Sequence, residues 1–96
     1  MPSSPPTEIQ HDALAHRFTL DLNGTQAVLD YRELDAQTLD YFRTFVPNAL
    51  RGGGLASRLT DHALRYAREH GLKIVPTCPF IATYIERHSE FQSLLR

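Results

Sequence analysis

The chain has 96 residues, of which 42% are hydrophobic and 22% charged, and a formal net charge of -1. This length allows one domain with a small core, and the lack of a basic excess argues against a nucleic-acid partner held through its phosphates. The single cysteine excludes an internal disulfide, and no apolar run is long enough for a membrane span or a signal peptide, so we expect a soluble, cytoplasmic protein without a membrane partner.

The first 15 residues are predicted to form a flexible tail, and residues 16–96 a single folded domain. Proline restricts helix formation, and small polar side chains offer little surface to bury. The residues that give the tail this character are Pro2, Ser3, Ser4, Pro5, Pro6 and Thr7.

A β-hairpin is predicted next, because apolar and polar residues alternate from position 17 onward. An Asn-Gly pair at positions 23 and 24 is the strongest two-residue hairpin signal. A loop closed on that pair places Leu20 opposite Ala27 and Phe18 opposite Leu29. The apolar residues of both strands then lie on one face.

A third strand is predicted over residues 38–46, after a turn near Asp35 and Ala36. Its apolar residues point to both faces, since Leu39 and Tyr41 alternate with Phe42. A strand that is apolar on both faces is typical of the centre of a sheet.

A helix of four or five turns is predicted to run from Leu55 to His70, with Gly71 as its C-terminal stop. Apolar residues recur there at intervals of three and four. A short buried strand over residues 72–75 follows, and a last short helix begins at Pro79. Its apolar side is predicted to comprise Phe80, Ile81, Tyr84, Ile85 and His88.

This order of elements indicates a mixed α+β fold, in which a three-stranded antiparallel meander precedes a helix, a parallel strand and a short helix. A strand-helix-strand unit needs a right-handed crossover, which makes its two strands parallel. Open sheets of this kind bind ligands beyond the carboxyl ends of their strands. Residues 51–54 and Cys78 both follow such ends, so we expect them to line one crevice.

Residues 46–56, VPNALRGGGLA, join the third strand to the first helix through three consecutive glycines. Gly52, Gly53 and Gly54 can adopt positive φ and carry no Cβ, so their amides can converge on an anion at the positive end of the helix dipole. A tight reversal of the chain is the structural alternative. A P-loop is disfavoured because no Lys-Ser/Thr pair follows, and a dinucleotide fold because its glycines follow the first strand.

The run from Arg51 to Ala56 resembles the R/Q-x-x-G-x-G/A motif of the GNAT superfamily of N-acetyltransferases, preceded by Val46-Pro47 at the spacing typical of those proteins. Residues 55–91 are similar to its short, single-domain YjdJ-type branch. The resemblance implies a minimal GNAT-like fold that uses acetyl-CoA as cosubstrate and needs no metal. The residues it implies for the pyrophosphate of coenzyme A are Val46, Arg51, Gly52, Gly53, Gly54, Leu55 and Ala56.

The same resemblance implies two catalytic residues, Cys78 and Tyr84. Superfamily members often carry a tyrosine on the last helix near the thioester sulfur, where Tyr84 would protonate the departing thiolate. An aromatic stripe with Phe80 and His88 that belongs to the core is the alternative. Cys78 precedes a helix N-terminus, which can lower a thiol pKa. It could accept the acetyl group, pack against the pantetheine arm, or be an inert core residue.

The general base is less evident, because relatives commonly read T-E-V-P where this chain has Phe45 in place of the acid. If that acid collects the amine proton, the chain must use water, Asp40, a histidine, or no base. A metal site is not expected, because His62 and His70 lack the i,i+4 spacing of a helical metal pair.

Three functions are compatible with these features. The first is an acetyl-CoA-dependent N-acetyltransferase acting on an unidentified small-molecule or protein amine. The second is a non-catalytic acyl-CoA-binding module, suggested by Phe45. The third is a protein-interaction module, monomeric or homodimeric, that uses the exposed edge of the first predicted strand.

Overall fold

A five-stranded mixed sheet forms the centre of the computed structural model, which describes residues 9–22 and 24–96. The elements are β1 (Ile9–Asp12), β2 (Arg17–Leu22), β3 (Thr25–Asp35), β4 (Thr38–Phe45), α1 (Leu55–Glu69), β5 (Lys73–Val75) and α2 (Pro79–Arg87). Short 3₁₀ segments cover Asn48–Leu50 and Ser89–Leu94. The strands lie in the order β1-β2-β3-β4-β5, and only β4 and β5 are parallel. The predicted mixed α+β class is confirmed.

The N-terminal boundary of the sheet differs from the prediction. β1 pairs antiparallel with β2 and sets Ile9 opposite Leu20 and His11 opposite Phe18. A flexible tail over residues 1–15 is therefore wrong for the four residues of β1, while residues 1–8 lie outside the described residues. The prediction missed β1 because four residues are too few to show an alternation of apolar and polar side chains, and because His11, one of its two inward residues, is not apolar. Because β1 covers β2, the exposed edge expected on the first predicted strand belongs to β1.

The hairpin of β2 and β3 has the predicted register, with Phe18 opposite Leu29 and Leu20 opposite Ala27. In the turn, Gly24 has a φ of +80°, and the predicted partner at position 23 lies outside the described residues. The observed pairing confirms the predicted register. The register is strongly specified because a one-residue slip would turn every apolar side chain of the hairpin away from the core.

β4 is a central strand, as predicted, and it diverges from β5 halfway along its length. The β4–β5 pairing ends at Asp40 opposite Val75. The register of β4 against β3 then shifts, so that Phe42 is one residue in excess, as in a β-bulge. One residue after the last β4–β5 pair, the Tyr41 carbonyl accepts from the Cys78 amide at 3.0 Å, and the rest of β4 diverges from β5.

The core lies between one face of the sheet and the helices. α1 begins at Leu55 and ends before Gly71, whose φ is +67°, as predicted. From α2, Ile81 and Ile85 enter the core, but Phe80 is 40% exposed, so its predicted place on the buried side is wrong. The fully buried side chains that form the centre include Phe18, Leu20, Leu29, Tyr41, Leu59, Leu64, Ile74, Ile81, Ile85 and Phe91. No helix of the described chain is long and apolar enough to cross a bilayer.

The opposite face of the sheet is covered by its own charged side chains, and no helix packs on it within the described residues. Asp30 accepts from Arg17 at 2.7 Å and from Arg43 at 2.8 Å. The guanidinium of Arg32 lies 4.3 Å from the centre of the Phe42 ring. The aliphatic stems of these arginines cover the sheet while their charged ends reach water, so the face needs no second helical layer.

We expect the buried Tyr41 hydroxyl to tie the sheet to α1, because it donates to the Ala63 carbonyl at 2.7 Å. Replacement of Tyr41 by Phe should lower the free energy of unfolding by about 1 kcal/mol, the typical contribution of one buried hydrogen bond. Urea unfolding followed by circular dichroism would measure this change. Tyr84→Phe, which removes a longer and more exposed bond, should cost less. An equal or larger loss in that control would contradict the assignment.

Candidate functional site

The glycine turn between β4 and α1 adopts the backbone that glycine favours. Gly52 has a φ of +90° and Gly54 a φ of +73°, whereas Gly53 keeps a negative φ. The expected positive φ is therefore found at two of the three glycines. A Cβ at Gly52 or Gly54 would have no neighbouring atom within 4 Å. The backbone conformation, rather than crowding inside the chain, thus explains why glycine is needed at these two positions.

The N-terminus of α1 has amide donors without acceptors in the helix. The first α-helical bond runs from the Arg58 amide to the Gly54 carbonyl at 3.1 Å, so the amides of Leu55, Ala56 and Ser57 precede the ladder. Gly54 caps the helix without a side-chain bond, and the first turn holds no acidic residue. The positive end of the helix dipole is thus available to an anion.

A shallow cavity of about 220 Å³ lies over this helix end. The Arg51 guanidinium crosses its rim and donates through Nε to the Val46 carbonyl at 3.1 Å. Of the seven residues predicted for the pyrophosphate, only Gly53 is absent from the lining. The lining consists of Val46, Leu50, Arg51, Gly52, Gly54, Leu55, Ala56, Ser57 and Phe80.

A second cavity of about 230 Å³ continues from the first through Ser57 and Phe80. Its further lining comes from α2 and includes Tyr84, Arg87 and His88. The Tyr84 and His88 rings stack with centroids 3.9 Å apart. Tyr84 also packs against the core, so the aromatic stripe of α2 contributes both to the core and to one wall of this cavity.

The Tyr84 hydroxyl is directed toward α1. It donates to Asp61 Oδ1 at 3.3 Å, and Asp61 Oδ2 accepts from Arg65 Nε at 2.7 Å. Burial raises the pKa of Tyr84, and the neighbouring Asp61 charge raises it further. The hydroxyl is therefore a weaker acid than an ordinary tyrosine. The two predicted catalytic residues, Tyr84 and Cys78, are not hydrogen-bonded to each other.

Cys78 occupies the point where β4 and β5 separate. The residue is only 6% exposed, and its thiol lies 3.5 Å from the Thr44 hydroxyl. Burial alone would raise the pKa of this thiol. The Thr44 hydroxyl and the backbone amides of Ile81, Phe80 and Thr44 outweigh burial, so the pKa of Cys78 lies below its ordinary value. The predicted effect of the helix N-terminus agrees with these amide contacts.

Asp40 stands out as a buried acid on the face opposite Cys78. The residue is 8% exposed, and its Oδ2 atom lies 3.3 Å from Arg32 Nε. Its Oδ1 atom is buried with no hydrogen-bond partner in the described part of the chain. Buried carboxylate oxygens are nearly always bonded, so this atom lacks the donor that its burial calls for. In the sequence, Asp40 is marked only by its place between two apolar residues, Leu39 and Tyr41, of the predicted central strand.

Phe45, where the family resemblance leads us to expect an acid, is the last residue of β4. Its ring is 43% exposed, and the Arg43 guanidinium lies 5.2 Å from the ring centre. An apolar side chain there cannot take up a proton. No group of three His, Cys, Asp or Glu residues capable of holding a metal ion occurs among residues 9–22 and 24–96.

Comparisons with known proteins agree on one family. The family profile described as GCN5-related N-acetyl-transferase matches residues 17–94. Protein NATD1 of Homo sapiens is 37% identical over 93 residues, which cover 95% of this chain and 82% of the human protein. Protein NATD1 of Gallus gallus is 36% identical over 85 residues, covering 86% and 77%.

A solved structure shares the fold. The NMR solution structure of a GCN5-like protein from Staphylococcus aureus, described as a candidate N-acetyltransferase, superposes with a TM-score of 0.75 at 26% identity. The match covers 97% of this chain and 91% of that one. The five-stranded sheet and its helices are thus a known arrangement.

We expect the Cys78 thiol to react with iodoacetamide at a lower pH than an ordinary thiol, because its pKa is lowered. Thr44→Val removes one stabilising donor and should slow alkylation near neutral pH about threefold or more. Rates measured from pH 6 to 10 by mass spectrometry would show the shifted midpoint. Thr83→Val, on the exposed side of α2, is the matched control. Identical profiles for Thr44→Val and the native protein would contradict the role of the hydroxyl.

Proposed function

Because the chain belongs to the GCN5-related N-acetyltransferase family, we propose that it binds acetyl-CoA and transfers the acetyl group to an amine. The observation that carries the proposal is the open N-terminus of α1 behind the glycine turn. Its first amides have no acceptor within the helix, no acid occupies the first turn, and Arg51 lies at the rim of the cavity. These features suit a diphosphate.

The fit to a pyrophosphate follows from the shape and charge of the cavity. Gly52 and Gly54 present bare backbone, so a phosphate oxygen can approach the amides without meeting a Cβ. Hydrogen bonds to a charged group contribute roughly 1.5 to 3 kcal/mol each, so three of them would contribute about 4.5 to 9 kcal/mol toward binding. Arg51 keeps further donors besides the Nε atom that bonds Val46.

The reacting end of the ligand would lie where β4 leaves β5. Acetyl-CoA supplies an activated acyl group as a thioester. The Thr44 amide faces the Cys78 thiol in this opening, and such a donor can support developing negative charge on an acyl oxygen. Cys78 is available either to accept the acyl group or to pack beside it. For Tyr84 to protonate a departing thiolate, its hydroxyl must turn away from Asp61.

Asp40 is the residue we assign to take up the amine proton. Its unpartnered Oδ1 atom needs a donor, and an ammonium group supplies one. Asp40 belongs to the last residue pair before β4 and β5 separate. It is on the same sheet face as Phe42, about 7 Å along the strand from that residue. Arg32 covers it now and would have to yield to a cationic acceptor. The acceptor would thus approach from the sheet face opposite the groove.

The second candidate function is an acyl-CoA-binding module without transfer. The observation in its favour is Phe45, an exposed ring at the position where the family resemblance leads us to expect an acid. Both candidates bind the ligand at the same anion site. In the second, no group takes up the amine proton, so the acetyl group is not transferred. A Phe45→Glu variant that gains turnover would favour it for the native chain.

Coenzyme A should raise the melting temperature of the native protein, because a ligand of the folded state stabilises it by about 2.7 kcal/mol at 100 times Kd. Gly54→Val should abolish this shift, since it forces a branched side chain into a left-handed backbone at the cavity. Gly71→Val carries the same strain at the far end of α1, where φ is +67°.

The Gly71→Val control should melt earlier than the native protein yet keep the full response to coenzyme A. Scanning fluorimetry with millimolar coenzyme A would compare the three proteins. A normal shift in Gly54→Val would overturn the anion site, and no shift in the native protein would overturn the proposed function.

Asp40→Asn should lower acetyl transfer by a factor of about 100 or more, the usual contribution of a general base, without changing the thermal shift with coenzyme A. Release of free thiol from acetyl-CoA with a panel of primary amines measures the rate. The loss should shrink at high pH, where the acceptor is already neutral. Asp30→Asn, on the same face, should retain activity. Full activity in Asp40→Asn would exclude Asp40 as the base.

A further inference from the structure

A groove beside α2 leads away from the anion site along the second helix. It is the cavity of about 230 Å³ that shares Ser57 and Phe80 with the cavity over the start of α1. From Phe80 it follows one side of α2 to His88, about 12 Å at the rise of an α-helix. Cys78 and the opening between β4 and β5 lie at the other end of α2, before its first residue. The groove therefore runs away from the opening.

The wall of this groove is aromatic. Phe80, Tyr84 and His88 are four residues apart and so lie on one side of α2. The Tyr84 and His88 rings stack nearly parallel, at 13°. The His88 Nδ1 atom is 2.8 Å from the Tyr84 carbonyl oxygen, which can only accept, so Nδ1 carries the proton and donates it. Rings fixed in this way form a surface that suits a flat heterocycle.

Arg87 is the cation of the groove. Its side chain is part of the lining and is exposed to solvent. It makes no ion pair or hydrogen bond with any part of the chain that the structure describes, residues 9–22 and 24–96. A guanidinium with all its donors available can bind a phosphate through two of them at once. The groove thus combines a flat apolar wall with an unpaired positive charge.

Coenzyme A carries matching groups at the end opposite its thiol, an adenine and a phosphate on the 3′ oxygen of the ribose. We propose that the groove beside α2 binds this end, with the adenine against the rings and the 3′-phosphate on Arg87. Arg87 is then a specificity-determining residue, which makes the chain prefer coenzyme A to dephospho-coenzyme A. The proposal rests on the proposed function, because the diphosphate must first occupy the start of α1.

The size of the groove agrees with this assignment. Whole ligand pockets measure roughly 300 to 1,000 Å³, so a cavity of about 230 Å³ suits one part of a larger ligand. The diphosphate lies in the middle of coenzyme A, between the acyl arm and the nucleoside. With the acyl arm directed to the opening, the nucleoside must leave the anion site by another route, and the groove provides one.

A cavity of about 410 Å³ along α1 is the competing route, since it shares Ser57 and Tyr84 with the groove. It contains two arginines, Arg58 and Arg65, but both already interact with other groups. Asp61 also lines this cavity, and its carboxylate would repel a phosphate. The groove beside α2 has no acid in its lining, so it is the better site for the 3′-phosphate.

This placement also decides the role of Tyr84. Its hydroxyl donates to Asp61 at 3.3 Å, and Asp61 is held in turn by Arg65 at 2.7 Å. These bonds fix the ring as part of the groove wall. Tyr84 is therefore assigned to the nucleotide end of the ligand rather than to protonation of the departing thiolate.

Isothermal titration calorimetry of the full chain with coenzyme A and dephospho-coenzyme A tests the assignment, at one ionic strength because salt screens such contacts. The native protein should bind dephospho-coenzyme A at least about fivefold more weakly, since a charge-assisted contact is lost. Arg87→Gln should bind coenzyme A only as tightly as dephospho-coenzyme A, and its affinity for the latter should be native. Arg68→Gln, at an exposed arginine of α1 outside both cavities, should keep the full preference.

Equal native affinities for the two ligands would overturn the assignment and leave the proposed function intact. Binding of neither ligand would overturn the proposed function, and this assignment with it. Arg87→Gln that keeps the native preference, or Arg65→Gln that loses it, would also contradict the role of Arg87. Should Arg87→Gln fail to fold, NMR spectra of the native chain with each ligand decide. Amide shifts that differ between the two complexes should cluster over residues 83–88, and clustering elsewhere would contradict the proposal.

Discussion

The separation of β4 from β5 is the constraint on which the site depends. The two strands pair over only three residues, and an extra residue at Phe42 then bends β4 away. The Cys78 amide returns to the Tyr41 carbonyl and closes the apex of the opening. This geometry places Asp40 on one face and the Cys78 thiol on the other. Along the chain, the end of β4 is followed by the glycine turn and by the cavity over the start of α1.

The one-sided packing of helices decides which surfaces are left for function. α1 and α2 cover a single face of the sheet, and the groove of the proposed coenzyme A site runs between their ends. The other face carries two arginine-aspartate pairs in which Arg17 and Arg43 remain partly exposed while the shared Asp30 is buried. A chain of 96 residues can therefore keep a ligand groove and a separate open face on opposite sides of one sheet.

Local signals in the sequence were sufficient for most of the fold and for the glycine turn that precedes α1. The register of Phe18 with Leu29, the end of α1 at Gly71 and the parallel placement of β5 followed from periodicity, turn chemistry and crossover handedness. Each of these depends on neighbours within a few residues or on a general rule of chain topology. The tail at β1, the exposed edge on β2 and the buried Phe80 were wrong predictions, and all three arose where distant packing decided the outcome.

The sequence by itself determined the element order, the glycine turn and the family resemblance, because those are carried by short runs of adjacent residues. Only the tertiary structure decided that Tyr84 bonds Asp61, that His11 bonds Tyr31 and that an oxygen of Asp40 lacks a partner. The two hydrogen bonds join residues at least 20 positions apart, and spacing along the chain carries no information about them. Whether a polar group is buried, and what it meets there, depends on how whole elements pack.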